Sequence, residues 1–263
     1  MHHMQHFGYG PLTPVAAYAM SFIGSLLGLR CATRARAGTG TERLSWLVLA
    51  AVAIGGAGIW VMHFIAMLGF TVHGTEIRYN VWLTAASALI AIVIVGIGMF
   101  LVGFGGTRAR MLLPAGAITG AGVAVMHYSG MAAMEISGNV SYDVVWVALS
   151  VLIAVVAATA ALWFSARVRG LPATIGAAAV MGVAVSGMHY SGMAGMTVEY
   201  VAGLSEPSGA TAAQLLLPSV LVVSVVTVVM LIIISLAPSE AEMARTAELE
   251  RRLRERRQGT PSQ

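Results

Sequence analysis

Lysine is missing from this sequence, cysteine occurs once, proline eight times, and charged side chains fill only 10% of its 263 positions. Soluble domains carry about 25% charged residues, so the shortage excludes an ordinary water-soluble enzyme. The lone Cys31 excludes an internal disulfide. No C-x-x-C-H haem-attachment site is present, and the N-terminus lacks a basic leader and a small-residue cleavage site, so its first apolar run reads as a retained span. What is abundant is apolar: 58% hydrophobic residues, a mean hydropathy of +0.83, and 30 glycines of the kind that let helices pack closely in lipid. The composition is that of an integral membrane protein. The net charge of +4 does not point to nucleic acid, because the arginines sit in short loops between apolar runs.

Seven stretches are long and apolar enough to cross about 30 Å of hydrocarbon: roughly 13 to 30, 45 to 70, 81 to 104, 111 to 134, 144 to 165, 174 to 196 and 215 to 237. The expected fold class is all-α, a seven-transmembrane helix bundle covering residues 1–237, followed by an arginine-rich tail at 238–263. Arg30, Arg34, Arg36 and Arg43 follow the first span, Arg108 and Arg110 the third, Arg167 and Arg169 the fifth, and six arginines the seventh. The other side has only Arg78, against Glu76, Glu135, Asp143, Glu199 and Glu206. The positive-inside rule therefore places the N-terminus outside and the C-terminus in the cytoplasm. The tail, with Met243, Ala247, Leu249 and Leu253 as its apolar positions, is expected to form a short basic helix at the membrane edge, with anionic lipid as its partner. It is too short for a catalytic domain.

An internal repeat runs through the spans. VMHFIAM begins at Val61, VMHYSGMAAM at Val125 and GMHYSGMAGM at Gly187; the last two agree at eight of ten positions. His63, His127 and His189 are 64 and 62 residues apart, one pair of spans per copy. The pattern predicts three parallel two-helix repeats plus one extra span, with the histidines in one layer about seven residues, or roughly 10 Å, below the outer boundary. Residues four and seven positions apart share a helix face, which groups His127 with Met131 and Met134, His189 with Met193 and Met196, and His63 with Met67 and Phe70. Met62, Met126 and Met188 point about 100° away, toward a neighbouring helix or the edge of the site.

A polar, ionisable side chain inside a membrane marks a functional site by default. Thioether sulfur is a soft donor suited to Cu(I), and imidazole suits copper in either oxidation state, so a His-plus-Met set without cysteine or paired carboxylates favours copper over zinc, iron, magnesium or calcium. The expected metal ligands are Met62, His63, Met67, Met126, His127, Met131, Met188, His189 and Met193, with His6 reaching over the bundle mouth. His2 and His3 read as a solvated terminus. The hydroxyls of Tyr128 and Tyr190 either anchor the helices near the interface or serve as ligands or donors behind the ligands.

With these motifs the sequence resembles the MHYT-domain family of bacterial integral membrane proteins, a resemblance that covers nearly the whole chain apart from the tail. It implies a sensory module that binds copper through Met62, His63, Met126, His127, Tyr128, Met188, His189 and Tyr190 and thereby detects a diatomic gas such as oxygen, CO or NO. Two departures lie in the motifs: Phe64 replaces the first tyrosine, and the motif threonine is replaced by Ser129 and Ser191, and by Ile65 in the first copy. Many relatives add cytoplasmic domains that make or degrade cyclic dinucleotides, whereas this sequence stops at Gln263, so the expected output is an unidentified cytoplasmic signalling protein and the chain itself is expected to be no enzyme. Two alternatives stay open: a copper or small-cation transporter, which the apolar inner halves of the spans disfavour, and a haem or copper redox protein, with haem held by two of the histidines.

Overall fold

The computed structural model describes residues 4–5, 8–72, 75–201, 207–236, 245, 248–249 and 251–252. Helices α1 (Leu12–Ala37), α2 (Gly40–Met67), α3 (Val81–Gly105), α4 (Ala109–Ala132), α5 (Val144–Arg167) and α6 (Leu171–Ala194) are each long and apolar enough to cross a membrane. A further helix, α7 (Ala212–Leu236), falls where the seventh span is expected, and its described apolar stretch is Leu221–Ile233. Helix starts follow the local chemistry: Asn80 accepts from the backbone N–H of Leu83, and Asp143 accepts from those of Val145 and Trp146, so each satisfies donors that a first helical turn leaves open. The short α3–α4 and α5–α6 turns need a left-handed residue and have one in Gly106 (φ +81°) and Gly170 (φ +76°).

The helix ends differ from the expected boundaries in a consistent way. At the arginine-bearing end α1 and α5 run on to Ala37 and Arg167, because arginines there find carbonyl partners. Arg36 donates to the carbonyls of Ser165 and Val168, and Arg43 donates to Gly103 and lies over the Phe104 ring. At the other end α2, α4 and α6 stop two or three residues early, at Met67, Ala132 and Ala194, and the chain turns into short strands that the hydropathy pattern did not predict. These are β1 (Met4–Gln5), β2 (Thr71–Val72), β3 (Arg78–Tyr79), β4 (Met134–Glu135), β5 (Gly138–Tyr142), β6 (Met196–Tyr200) and β7 (Ala210–Thr211). β1 pairs with β2, β3 lies between β4 and β7, and β5 pairs with β6, all antiparallel. The strands satisfy backbone groups that a helix end leaves bare and tie the three motif helices together at one end.

Helices α1 to α6 pack in chain order as a ring that closes where α6 meets α1. The motif helices α2, α4 and α6 are every second member, so their faces meet on the ring axis. Three two-helix repeats closing on themselves would seat α7 between α6 and α2, but α1 fills that slot, and α7 instead lies against α1 and α2. Glycine makes the tightest crossing possible, since a Cβ on Gly24 of α1 would overlap the backbone of Gly58 in α2.

Candidate metal centre

The three motif histidines reach the ring axis by different local routes. In α4 and α6 the motif continues a regular α-helix. In α2 the turns before it, Val52–Val61, are wound as a π-helix, with each hydrogen bond closing over five residues, and α-helical geometry resumes at Met62. Such winding is rare and alters which face the following residues present. The glycine-rich stretch Gly55, Gly56 and Gly58 accommodates it.

His63, His127 and His189 are buried, with at most 1% of each exposed. His63 Nδ1 lies 3.0 Å from His189 Nδ1 and 3.1 Å from His127 Nδ1. The three rings meet edge to face, with centroids 4.9, 5.0 and 5.1 Å apart. Cysteine and carboxylate oxygens are absent from this cluster of potential metal ligands among the described residues. The histidines stand four or five residues before their helix ends, nearer the strand cap than the seven expected.

The hydrogen-bond inventory of the cluster does not close. A neutral imidazole carries one N–H and one lone pair. The Nε2 atoms of His63 and His127 are buried without a hydrogen-bond partner among the described residues. Whichever His63 nitrogen is protonated, its Nε2 remains an orphan, which costs about 1–3 kcal/mol. Three imidazoles whose ring nitrogens come this close together, with no cysteine or acid among them, form a potential donor set for a cation.

The structure explains where the orphaned atoms lie. A Cβ on Gly130 would begin 2.6 Å from His63 Nε2, and one on Gly192 would overlap His127 Nε2. Each ring therefore lies against the bare backbone of the next motif helix. Sequence reading assigned these glycines to helix packing in general. Their spacing, three residues after a histidine in two copies with Ala66 in the third, was the available signal.

The remaining expected ligands are distributed as follows. Met62, Met67, Met126, Met131, Met188 and Met193 are all buried, each at most 3% exposed. Met62 packs with Ala17 and Ala66 in a small cluster of its own, and Met188 lines a cavity. His6 lies outside the described residues. Tyr128 is held elsewhere: its hydroxyl lies 2.8 Å from Ser150 Oγ on α5, and its ring meets that of Tyr142 edge-on. Burial, followed by the neighbouring Tyr128, pushes the Tyr142 phenol above its ordinary pKa, which keeps it neutral. Tyr190 packs edge-on against His189 and beside the Met62 cluster.

The first copy, with Phe64 for tyrosine, keeps the polar tie by other means. Ser87 occupies on α3 the place that Ser150 has on α5, the seventh helical residue. It receives the Trp60 indole N–H at 3.0 Å and itself donates to the Thr84 carbonyl. Trp60 stands one turn before Phe64 and packs on it, with centroids 5.0 Å apart.

Three successive segments, residues 56–115, 120–178 and 182–247, match the family model MHYT, described as a bacterial signalling protein N-terminal repeat. The chain belongs to the MHYT family. Among its relatives, the bifunctional diguanylate cyclase/cyclic di-GMP phosphodiesterase MucR of Pseudomonas aeruginosa is 38% identical over 191 residues, 71% of this chain and 28% of MucR. The cyclic di-GMP phosphodiesterase NbdA of the same organism is 33% identical over 211 residues, 76% of this chain and 26% of NbdA. A signalling protein of Caulobacter vibrioides is 29% identical over 220 residues, 84% of this chain and 26% of its own length. This MHYT chain thus spans about a quarter of the curated relatives it matches. No solved structure matches it. Membership and the six apolar helices make it a multi-pass protein of the bacterial plasma membrane with a sensory role in signalling.

Proposed function

We propose that this MHYT chain is a copper-binding membrane sensor whose metal is held by His63, His127 and His189 near the outer face, with thioether support from the motif methionines. The observation that carries the reading is the convergence of three buried Nδ1 atoms at spacings of 3.0 and 3.1 Å, beside Nε2 atoms with no other partner. Neutral imidazoles add no negative charge, so a monovalent soft cation is the least costly to bury there. Met67, Met131 and Met193 share helix faces with the histidines and are the thioether donors best aligned with the cluster; Met62, Met126 and Met188 lie further round the site. Tyr128 serves as a tie between helices through Ser150.

Copper with an open coordination position supplies a binding site for a diatomic gas, and the protein's part is to hold the imidazoles and exclude water. In this reading the chain has seven spans in three parallel repeats with its N-terminus outside, so that this centre faces the periplasm and the arginine-rich tail the cytoplasm, and arginine placement supports it. The kinship with cyclic di-GMP enzymes suggests a cytoplasmic partner of that signalling class as the recipient of the output. Haem has less support, because edge-to-face rings 4.9–5.1 Å apart fill the space a macrocycle needs. The test is metal analysis of the detergent-purified chain after copper loading and desalting. The unaltered chain should retain copper in fixed stoichiometry and His127→Ala/His189→Ala should retain none; equal retention by both would overturn the assignment.

A further inference from the structure

A cavity of about 40 Å³ lies directly below the histidine layer, and its walls repeat with the motifs. Ile59, Val123 and Val185 line it, and each stands four residues before its histidine, on the same helix face one turn further in. Thr119 and Met181 line it another turn down, eight residues before His127 and His189. Alanines of α5, Ala154 and Ala158 among them, line the side. The chamber therefore lies on the axis where the motif helices meet and extends about 12 Å below the imidazoles.

The size and chemistry of this space select its occupant. A single water needs roughly 10–15 Å³ of such volume together with two to four polar partners. The volume exceeds that, but the wall offers no polar surface. Thr119 is the one polar residue lining it, and its hydroxyl has no hydrogen-bond partner among the described residues, although Thr33, Thr84, Thr159 and Thr174 each donate to the carbonyl four residues back. Dry apolar cavities of this kind take up apolar guests.

We infer that this chamber is a binding site for one small apolar molecule of two or three heavy atoms, of the class that includes dioxygen, seated one helical turn beneath the histidine centre. The site is independent of the metal reading, and its test is run on protein stripped of copper so that each can fail alone. Xenon is the probe. The full chain in nanodiscs, titrated with xenon and followed by xenon NMR, should show one saturable site. Ala158→Leu, which fills the chamber, should weaken binding at least about tenfold, and Ala161→Leu on the same wall provides a second filling variant should the first fail to fold. Thr119→Val, which keeps the volume, should retain binding. Absence of a saturable site, as when the chamber is collapsed or holds a lipid tail, overturns the proposal, and so does binding unaffected by both filling variants.

Discussion

A side chain on Gly130 would begin 2.6 Å from the Nε2 of His63, closer than carbon and nitrogen can approach without one of them moving. Imidazole and backbone are thus fitted to each other across two helices, and the pair Gly192 and His127 repeats the fit. Gly130→Ala and Gly192→Ala are expected to tilt these rings and lower copper affinity about 10–100-fold, the range seen when groups orienting a ligand are altered. Ala66→Gly, at the corresponding place in the first copy, should leave copper affinity unchanged. Competition titrations with a Cu(I) chelator measure the effect, with circular dichroism to show that the helices persist. Unchanged affinity in both glycine variants would falsify the positioning role.

Tyr128→Phe removes the hydroxyl that meets Ser150. The expected cost is about 1 kcal/mol of stability, read as a lower thermal midpoint in detergent, with copper content retained. A loss of copper in this variant would instead place the phenol among the ligands.

The tie made by Trp60 to Ser87 stands in for the missing tyrosine of the first copy. Trp60→Phe should destabilise the protein by about 1–3 kcal/mol, since it leaves a buried hydroxyl without its donor. Adding Phe64→Tyr should restore part of that loss, by analogy with Tyr128 and Ser150. If the double variant is no more stable than Trp60→Phe alone, the two ties are not equivalent.

Orientation follows from arginine placement and is checked with reporter fusions. Alkaline phosphatase, active only outside the cytoplasm, should be active when inserted next to Asn139 in β5 and inactive when inserted at Gly106 between α3 and α4. The reverse pattern would overturn the orientation drawn from the charges.

Hydropathy and charge are properties of each segment taken alone, and they were enough for the membrane class and for six of the seven expected spans, which long apolar helices match. Repetition of a motif at intervals of 64 and 62 residues was equally plain, and it marked the three histidines before any fold was known. The meeting of His63, His127 and His189 through Nδ1 required more, because it depends on how far each helix is rotated about its own axis. That rotation is set in α2 by π-winding over Val52–Val61 and between helices by contacts at Gly130 and Gly192, which no regular 3.6-residue count anticipates. The seating of α1 between α6 and α2, the strand cap, and the Trp60 to Ser87 substitute for a tyrosine are likewise non-local. Each links residues far apart in the chain or on different helices, and only packing selects among the partners that one-dimensional pattern leaves equally eligible.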